Sequence, residues 1–328
     1  MKIRTILIMQ TLAIMACVAQ LQTIEPTPTT SFPPTDIPTL IPPSATIPVH
    51  TATSVVGQPT ITATLAIAPT AVKATATSQP PVTSLNNPYA VILVSPGDVL
   101  NIRTGPGVAN DIAGTLPPTV KDVRRTGPAS RSDGDDSWVE IQSPRGNGWV
   151  NSRFLTEQVA SSSFCLDANV NTLLGEFKTA MLNSNGELLG LLVSPAHGLD
   201  VRLWRYGNVA NYTPEEAAWV FQSDYIANWG PAPGSGEETS GTFKAQLLPK
   251  LQEVLRANYT LHCNDTLDLA TFSLEPWPPE YSNINYYTFY KKGSEQYGGL
   301  DWRAWTVGVE YMQGVPTLFS LIHYQWEP

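Results

Sequence analysis

Between Thr23 and Thr83, 28 of 61 residues are threonine or proline, and the stretch carries only three charges, on Glu25, Asp36 and Lys73. A segment of this composition has too little apolar surface to offset the entropy lost on ordering. It predicts a disordered tether over residues 18–88 and confines any folded core to residues 89–328. Proline favours extended polyproline II, and about 3.1 Å per residue gives a reach on the order of 190 Å. Such stalks are candidates for O-glycosylation, with a bare tether as the alternative. In either case the physical job is spacing.

Before the tether, Lys2 and Arg4 precede the apolar run Ile6–Met15. A short basic region followed by an apolar stretch of that length reads as a signal peptide over residues 1–17. Ile14-Met15-Ala16-Cys17 resembles a bacterial lipobox. The resemblance implies lipoprotein processing: cleavage before Cys17, lipidation of its thiol, and a lipid anchor as the link to the membrane. A plain signal peptide cut after Ala19, or an uncleaved anchor, are the alternatives. All three expect an exported chain, on the outer face of the cell membrane or secreted. No stretch of about 18 apolar residues predicts an ordinary membrane span.

The net charge of −9 is unevenly placed. Residues 1–88 carry +1, residues 89–160 carry −1, and residues 161–328 carry −9. Nucleic acid is therefore excluded as the main partner, since phosphate binding needs clustered Lys and Arg.

Residues 89–157 change character abruptly. Ala90–Val94 is a β-rich run, and Leu100-Asn101-Ile102-Arg103 alternates, with Leu100 and Ile102 on one face. Gly105-Pro106-Gly107 reads as a turn, Ile112–Leu116 as a strand, and Trp138–Ile141 and Gly148–Val150 as two more strands around Pro144–Asn147. Short strands punctuated by Gly and Pro suggest a small β-barrel. Leu-Asn-Ile-Arg-Thr-Gly-Pro-Gly at 100–107, Ile-Ala-Gly-Thr-Leu at 112–116, Trp-Val-Glu-Ile at 138–141 and Gly-Trp-Val-Asn-Ser-Arg-Phe-Leu at 148–155 resemble the bacterial SH3-like (SH3b) family. The polar insertion from Arg124 to Ser137 departs from the pattern and corresponds to a surface loop of the family. The resemblance implies an SH3-like barrel that binds cell-wall peptide or glycan, or merely accompanies another envelope domain. Asn101, Arg103, Trp138 and Trp149 are the candidate ligand contacts. Their structural alternatives are turn fixing for the first two and barrel packing for the tryptophans. Asp133, Asp135 and Asp136 lack the spacing of a calcium loop.

Residues 161–328 hold 7 Trp, 11 Tyr and 7 Phe, enough for a sizeable core. Asp167 as N-cap with Val170, Leu173, Leu174, Phe177 and Met181 predicts a helix ended by Asn183–Gly186. Thr213-Pro214-Glu215-Glu216 is a capping box, and a further helix is expected near Ala245–Ala257, with Pro249 in its first turn or at a kink. Leu188–Val193, Leu199–Tyr206 and Tyr286–Lys292 read as strands. Arg303–Tyr311 and Leu318–Trp326 read as a hairpin around Gly314, with Trp305, Val307, Val309 and Tyr311 sharing a face. The expected class is α+β, with helices packed on an antiparallel sheet.

Cys165 and Cys263 are the remaining cysteines, and in an exported chain they are expected to form a disulfide. The alternative, a catalytic thiol like that of wall peptidases, lacks their Asp-Cys-Ser-Gly motif: the residues are Phe164-Cys165-Leu166-Asp167. His197, His262 and His323 show no metal spacing, so no metal and no cofactor are expected. The loop Trp229–Glu238 is neither a phosphate loop nor a nucleophile elbow. It reads as a surface loop, or as a flap over an aromatic site built from Trp204, Tyr206 or Trp229. No catalytic residue is assigned, and the sequence does not fix the oligomeric state. The expected function is non-catalytic binding in the cell envelope. The alternatives are a wall-acting hydrolase with its site in 161–328, or a scaffold in an envelope complex.

Overall fold

Alternating apolar residues and glycine-rich turns build the first part of the chain. In the computed structural model, which describes residues 87–131, 137–265 and 277–327, it consists of eight short strands. These are β1 (Tyr89–Val91), β2 (Leu100–Arg103), β3 (Ile112–Leu116), β4 (Arg124–Arg125), β5 (Ser130–Arg131), β6 (Ser137–Ser143), β7 (Gly146–Asn151) and β8 (Leu155–Glu157). The signal segment, Cys17, the tether as far as residue 86, and Asp133, Asp135 and Asp136 lie outside the described residues. Leu100 and Ile102 face inward from β2 and join Val91, Val139, Ile141 and Val150 in one apolar cluster. The strand order is β3-β2-β7-β6-β4, with β5 also on β6, while β1 pairs with β8 and makes one isolated bridge, from Tyr89 to Val123 just before β4. Among the described residues the pairing does not return from β4 to β3, so the closed barrel expected from the motifs is instead an open sheet with a two-stranded ribbon beside it. The insertion after Arg124 contributes strands of two residues each, too short to carry the ladder round.

The second part comprises α1 (Ser161–Leu166), α2 (Ala168–Asn183), α3 (Gly186–Leu192), β9 (Leu199–Arg202), β10 (Ala210–Tyr212), α4 (Pro214–Trp219), β11 (Ala227–Pro231), β12 (Glu238–Gly241), α5 (Phe243–Gln246), α6 (Leu248–Arg256), β13 (Thr260–Cys263), β14 (Asn285–Lys291), β15 (Arg303–Met312) and β16 (Val315–Gln325). The architecture is mixed α/β, with six α-helices among the described residues. Its main sheet runs β10-β9-β16-β15-β14-β13, antiparallel except for the parallel pair β16–β9. Trp305, Val307, Val309 and Tyr311 do share a face, buried against Phe164, Phe177, Leu251 and Val254 of the helices. The capping box of α4 is formed, with Thr213 accepting from Glu216 N and Glu216 accepting from Thr213 N. Pro249 sits at the start of α6.

One expected strand is a helix. Leu188–Leu192 falls in α3, which is capped by Asn185, whose side chain accepts from Leu188 N, and Val193 follows the helix. Gly186 and Gly190 lie one turn apart and let α3 settle on α4. A Cβ at 190 would meet Pro214 O at 2.6 Å and the Ala218 Cβ at 3.0 Å. The strand beginning at Leu199 also stops early, at Arg202.

The two parts touch along the opposite face of the main sheet. Ile92, fully buried, joins Tyr281, Ile284, Trp302, Phe319 and Ile322 in a second apolar cluster there. Leu93 N donates to Glu280 O at 2.8 Å, and the Asn283 amide donates to Val91 O at 2.8 Å. Residues 87 onward fall within one compact unit, Ala74–Pro328.

Candidate functional site

Three of the four expected contacts on the first part come together. A cavity of about 250 Å³ is lined by Asn101 and Arg103 of β2, Trp138 of β6, and Asp98, Asn151 and Phe154. Alternation places Asn101 and Arg103 on the face of β2 away from the apolar cluster. Strand β7 reaches β2 through Gly148, at φ +149°, where a Cβ would meet Arg103 O at 2.5 Å. The Arg103 Nη1 donates to Asn110 O at 2.7 Å, which ties β2 to the turn after it. Arg103 forms no ion pair among the described residues, so its remaining donors keep a full positive charge. Trp138 is 3% exposed, and its buried indole Nε1–H has no acceptor among the described residues. A buried donor left without a partner costs on the order of 1–3 kcal/mol, and most native ones are satisfied by protein, water or ligand. Trp149 stands apart: it lies opposite Arg103 and Glu140 in the sheet, half-buried, and does not line the cavity.

Trp204 and Trp229 do not form an open site. Both are buried, and their indole N–H groups donate to Thr239 Oγ1 at 3.2 Å and Gly241 O at 3.0 Å. The segment from Trp229 to Glu238 is largely the β11–β12 hairpin, and these tryptophans pack its base. Tyr206 is 71% exposed with the Arg205 guanidinium over its ring.

Each histidine has a role in the fold. His197 Nδ1 lies 2.8 Å from both carboxylate oxygens of Glu310, and Nε2 lies 2.9 Å from Arg153 O. A carbonyl only accepts, so Nε2 carries a hydrogen and the ring has no nitrogen free to exchange a proton with substrate. Thr156 Oγ1 donates to Glu310 Oε2 at 3.3 Å, completing a buried network between the two parts. His323 is buried, with Nδ1 donating to Leu203 O at 3.1 Å. Burial, together with the charges of Lys250 and Arg303, holds its pKa down at about 3.

His262 lies in a row with Thr260 and Asp265, with Nε2 2.7 Å from Thr260 Oγ1 and Nδ1 3.2 Å from Asp265 Oδ2. That is the spacing of nucleophile, base and orienting acid. However, Thr260 and Asp265 are exposed on an edge strand, whereas nucleophilic sites exclude water. Among the described residues no three His, Cys, Asp or Glu side chains are grouped to hold a metal, and no helix is long and apolar enough to cross a membrane. Cys165 and Cys263 form a disulfide.

The sequence reading missed Asp98 and Phe154 at the cavity and Glu310 in the junction. Glu310 had a visible signal, because it is the one acidic residue in a ten-residue strand otherwise buried almost end to end. Comparison with protein-family models, with curated proteins and with solved structures finds no match to this chain.

Proposed function

We propose that this is a non-catalytic binding protein of a bacterial cell envelope, in which residues 89–157 act as an SH3b-like module that takes wall peptide or glycan in the Trp138 cavity. One observation carries the reading: Trp138, whose indole N–H has no acceptor among the described residues, lines one cavity with Asn101 and with Arg103, which is in no ion pair among the described residues. Carbonyl, carboxylate and acetamido oxygens of a wall peptide or amino sugar supply the acceptors that these groups lack. A small shallow cavity supports weak binding. The segment's charge of −1 makes that binding nearly independent of salt. The signal-like N-terminus and the Thr/Pro tether fit this role by holding the folded part away from a membrane, anchored through Cys17. Mass spectrometry of the mature N-terminus tests the anchor, and an unmodified chain starting at Gln20 would refute it.

Co-sedimentation of the full chain with purified peptidoglycan tests the binding. Trp138→Phe removes only the N–H and is expected to weaken association about two- to tenfold, the worth of one hydrogen bond. No association by the unaltered chain would reject wall binding, and association untouched by Trp138→Phe and Arg103→Ala would reject this cavity as its seat.

The Thr260–His262–Asp265 row supports a second reading, a wall-acting hydrolase. Release of soluble fragments from wall material, abolished by Thr260→Val, would establish it in place of the first.

A further inference from the structure

A second cavity, of about 520 Å³, lies where β10 turns into α4. It shares no residue with the Trp138 cavity, and nothing in the envelope-binding reading uses it. Its walls come from a short stretch of chain. Tyr212 ends β10, Thr213 caps α4, and Glu215 and Trp219 then fall one turn apart on the helix, where side chains four residues apart are neighbours. Tyr225 closes the far side, its backbone N–H held by Ser223 Oγ at 3.1 Å.

Three features of this lining are unusual together. Trp219 and Tyr225 are 64% and 61% exposed, so two aromatic rings are offered to solvent beside one cavity. Glu215 and Glu216 line it too, no Lys, Arg or His does, and neither carboxylate is in an ion pair among the described residues. Tyr212 is only 7% exposed, and its buried hydroxyl has no hydrogen-bond partner among the described residues. Its ring is fixed edge-on against Phe243 at 5.8 Å, so the hydroxyl cannot swing out to water. Burial, with Tyr225 and Glu216 beside it, pushes this phenol well above its ordinary pKa, so it stays neutral and adds no charge to the wall.

We infer that this cavity binds an organic cation, an ammonium group on an aliphatic chain, between the Trp219 and Tyr225 rings, with Glu215 as its polar contact. Aromatic faces attract cations through the ring quadrupole, and the carboxylates supply the charge. The alkyl chain covers the exposed rings. The surrounding part of the chain is itself strongly acidic, at −9 over residues 161–328, which raises the local concentration of cations.

Ligand-observed NMR titration of the full chain with n-butylammonium and with tetramethylammonium is the test. Saturable binding of at least one is expected, weakened about tenfold by Trp219→Ala and about threefold by Glu215→Gln. Both side chains are exposed, so the variants keep the fold, which circular dichroism checks. Tighter binding of the primary amine assigns a hydrogen-bonded, lysine-like ammonium, and tighter binding of the quaternary one assigns a methylated ammonium. The inference is overturned if neither cation saturates by about 50 mM, or if Trp219→Ala leaves the affinity unchanged. It is also overturned if neutral N-acetylglucosamine binds equally well and Glu215→Gln has no effect. Failure here leaves wall association through Trp138 untouched, because the Trp138→Phe measurement reads a different cavity.

Discussion

His323 shows how one buried side chain sets a pH limit on the fold. It lies on β16 with its ring 4.7 Å from that of Trp305 and 6.3 Å from that of Trp204. Its Nδ1–H reaches Leu203 O, Nε2 has no partner among the described residues, and Lys250 and Arg303 both oppose a positive charge there. The folded-state pKa of about 3 lies below the unfolded value near 6.5. Above pH 6.5 both states are neutral and the group does not affect stability. Below it the unfolded chain takes up a proton that the native state refuses, so stability falls by about 1.4 kcal/mol per pH unit down to about pH 3. Between pH 7 and pH 5 the loss is about 2 kcal/mol. His323→Gln, which can still donate to Leu203 O but does not titrate, should show a pH dependence of denaturant midpoint shallower by that amount. Equal slopes for the two proteins would show that His323 is not the titrating group. In the sequence this residue is one of three isolated histidines in residues 161–328, and its setting depends on Trp204, Lys250 and Arg303, which pattern reading could not bring to one place.

Among the elements, α1 and β13 are joined by the Cys165–Cys263 disulfide, across 98 residues of chain. β13 is an edge strand, held to the sheet only through β14. The bridge therefore ties the sheet's free margin to the helical layer. Closing so long a loop restricts the unfolded chain, and removing the bond should cost about 2–5 kcal/mol. The full chain is expected to melt lower in reductant, and the paired Cys165→Ser, Cys263→Ser variant should match the reduced protein and be indifferent to reductant. A variant as stable as the oxidised parent would show that the bridge adds nothing. The pairing was legible because an expected export and a count of two cysteines beyond Cys17 leave few alternatives. So were α2, α4 and the β15–β16 hairpin, each marked by caps, period or turn. α3 was not, because Leu188–Val193 is a short apolar run without a visible period, and such runs fit helix and strand alike. Its helicity depends on Gly186 and Gly190 meeting α4, a contact no local pattern encodes.

At the scale of the whole molecule, the sequence reads as a small β module followed by an independent acidic domain, and the shift in composition near residue 160 is real. What that shift conceals is the joint between them. Glu157 accepts from Gln313 N and Gly314 N at 2.7 and 3.0 Å, Asn285 donates to Val159 O at 3.0 Å, and Glu310 gathers Thr156 and His197 although 154 residues separate it from the threonine. Isolated polar residues that meet only after folding leave no periodicity, and only Glu310, the one acid in a strand otherwise buried almost end to end, marks itself. Glu310 is the test of this joint because its carboxylate has no water to fall back on, being 1% exposed. Truncating one member of a buried charged cluster leaves the others unpaired and typically costs about 3–5 kcal/mol. Glu310→Ala should therefore destabilise the full chain by about that much, and Glu310→Gln, which retains acceptor and volume, by about 1–2 kcal/mol. Hydrogen exchange should locate the change: faster exchange at residues 153–157, at 194–198 and in the β15–β16 turn together. If Glu310→Ala speeds exchange only within the β15–β16 hairpin, the two parts are held by the Ile92, Leu93, Glu157, Asn283 and Asn285 contacts without it, and the His197–Glu310 pair serves the local turn rather than the joint.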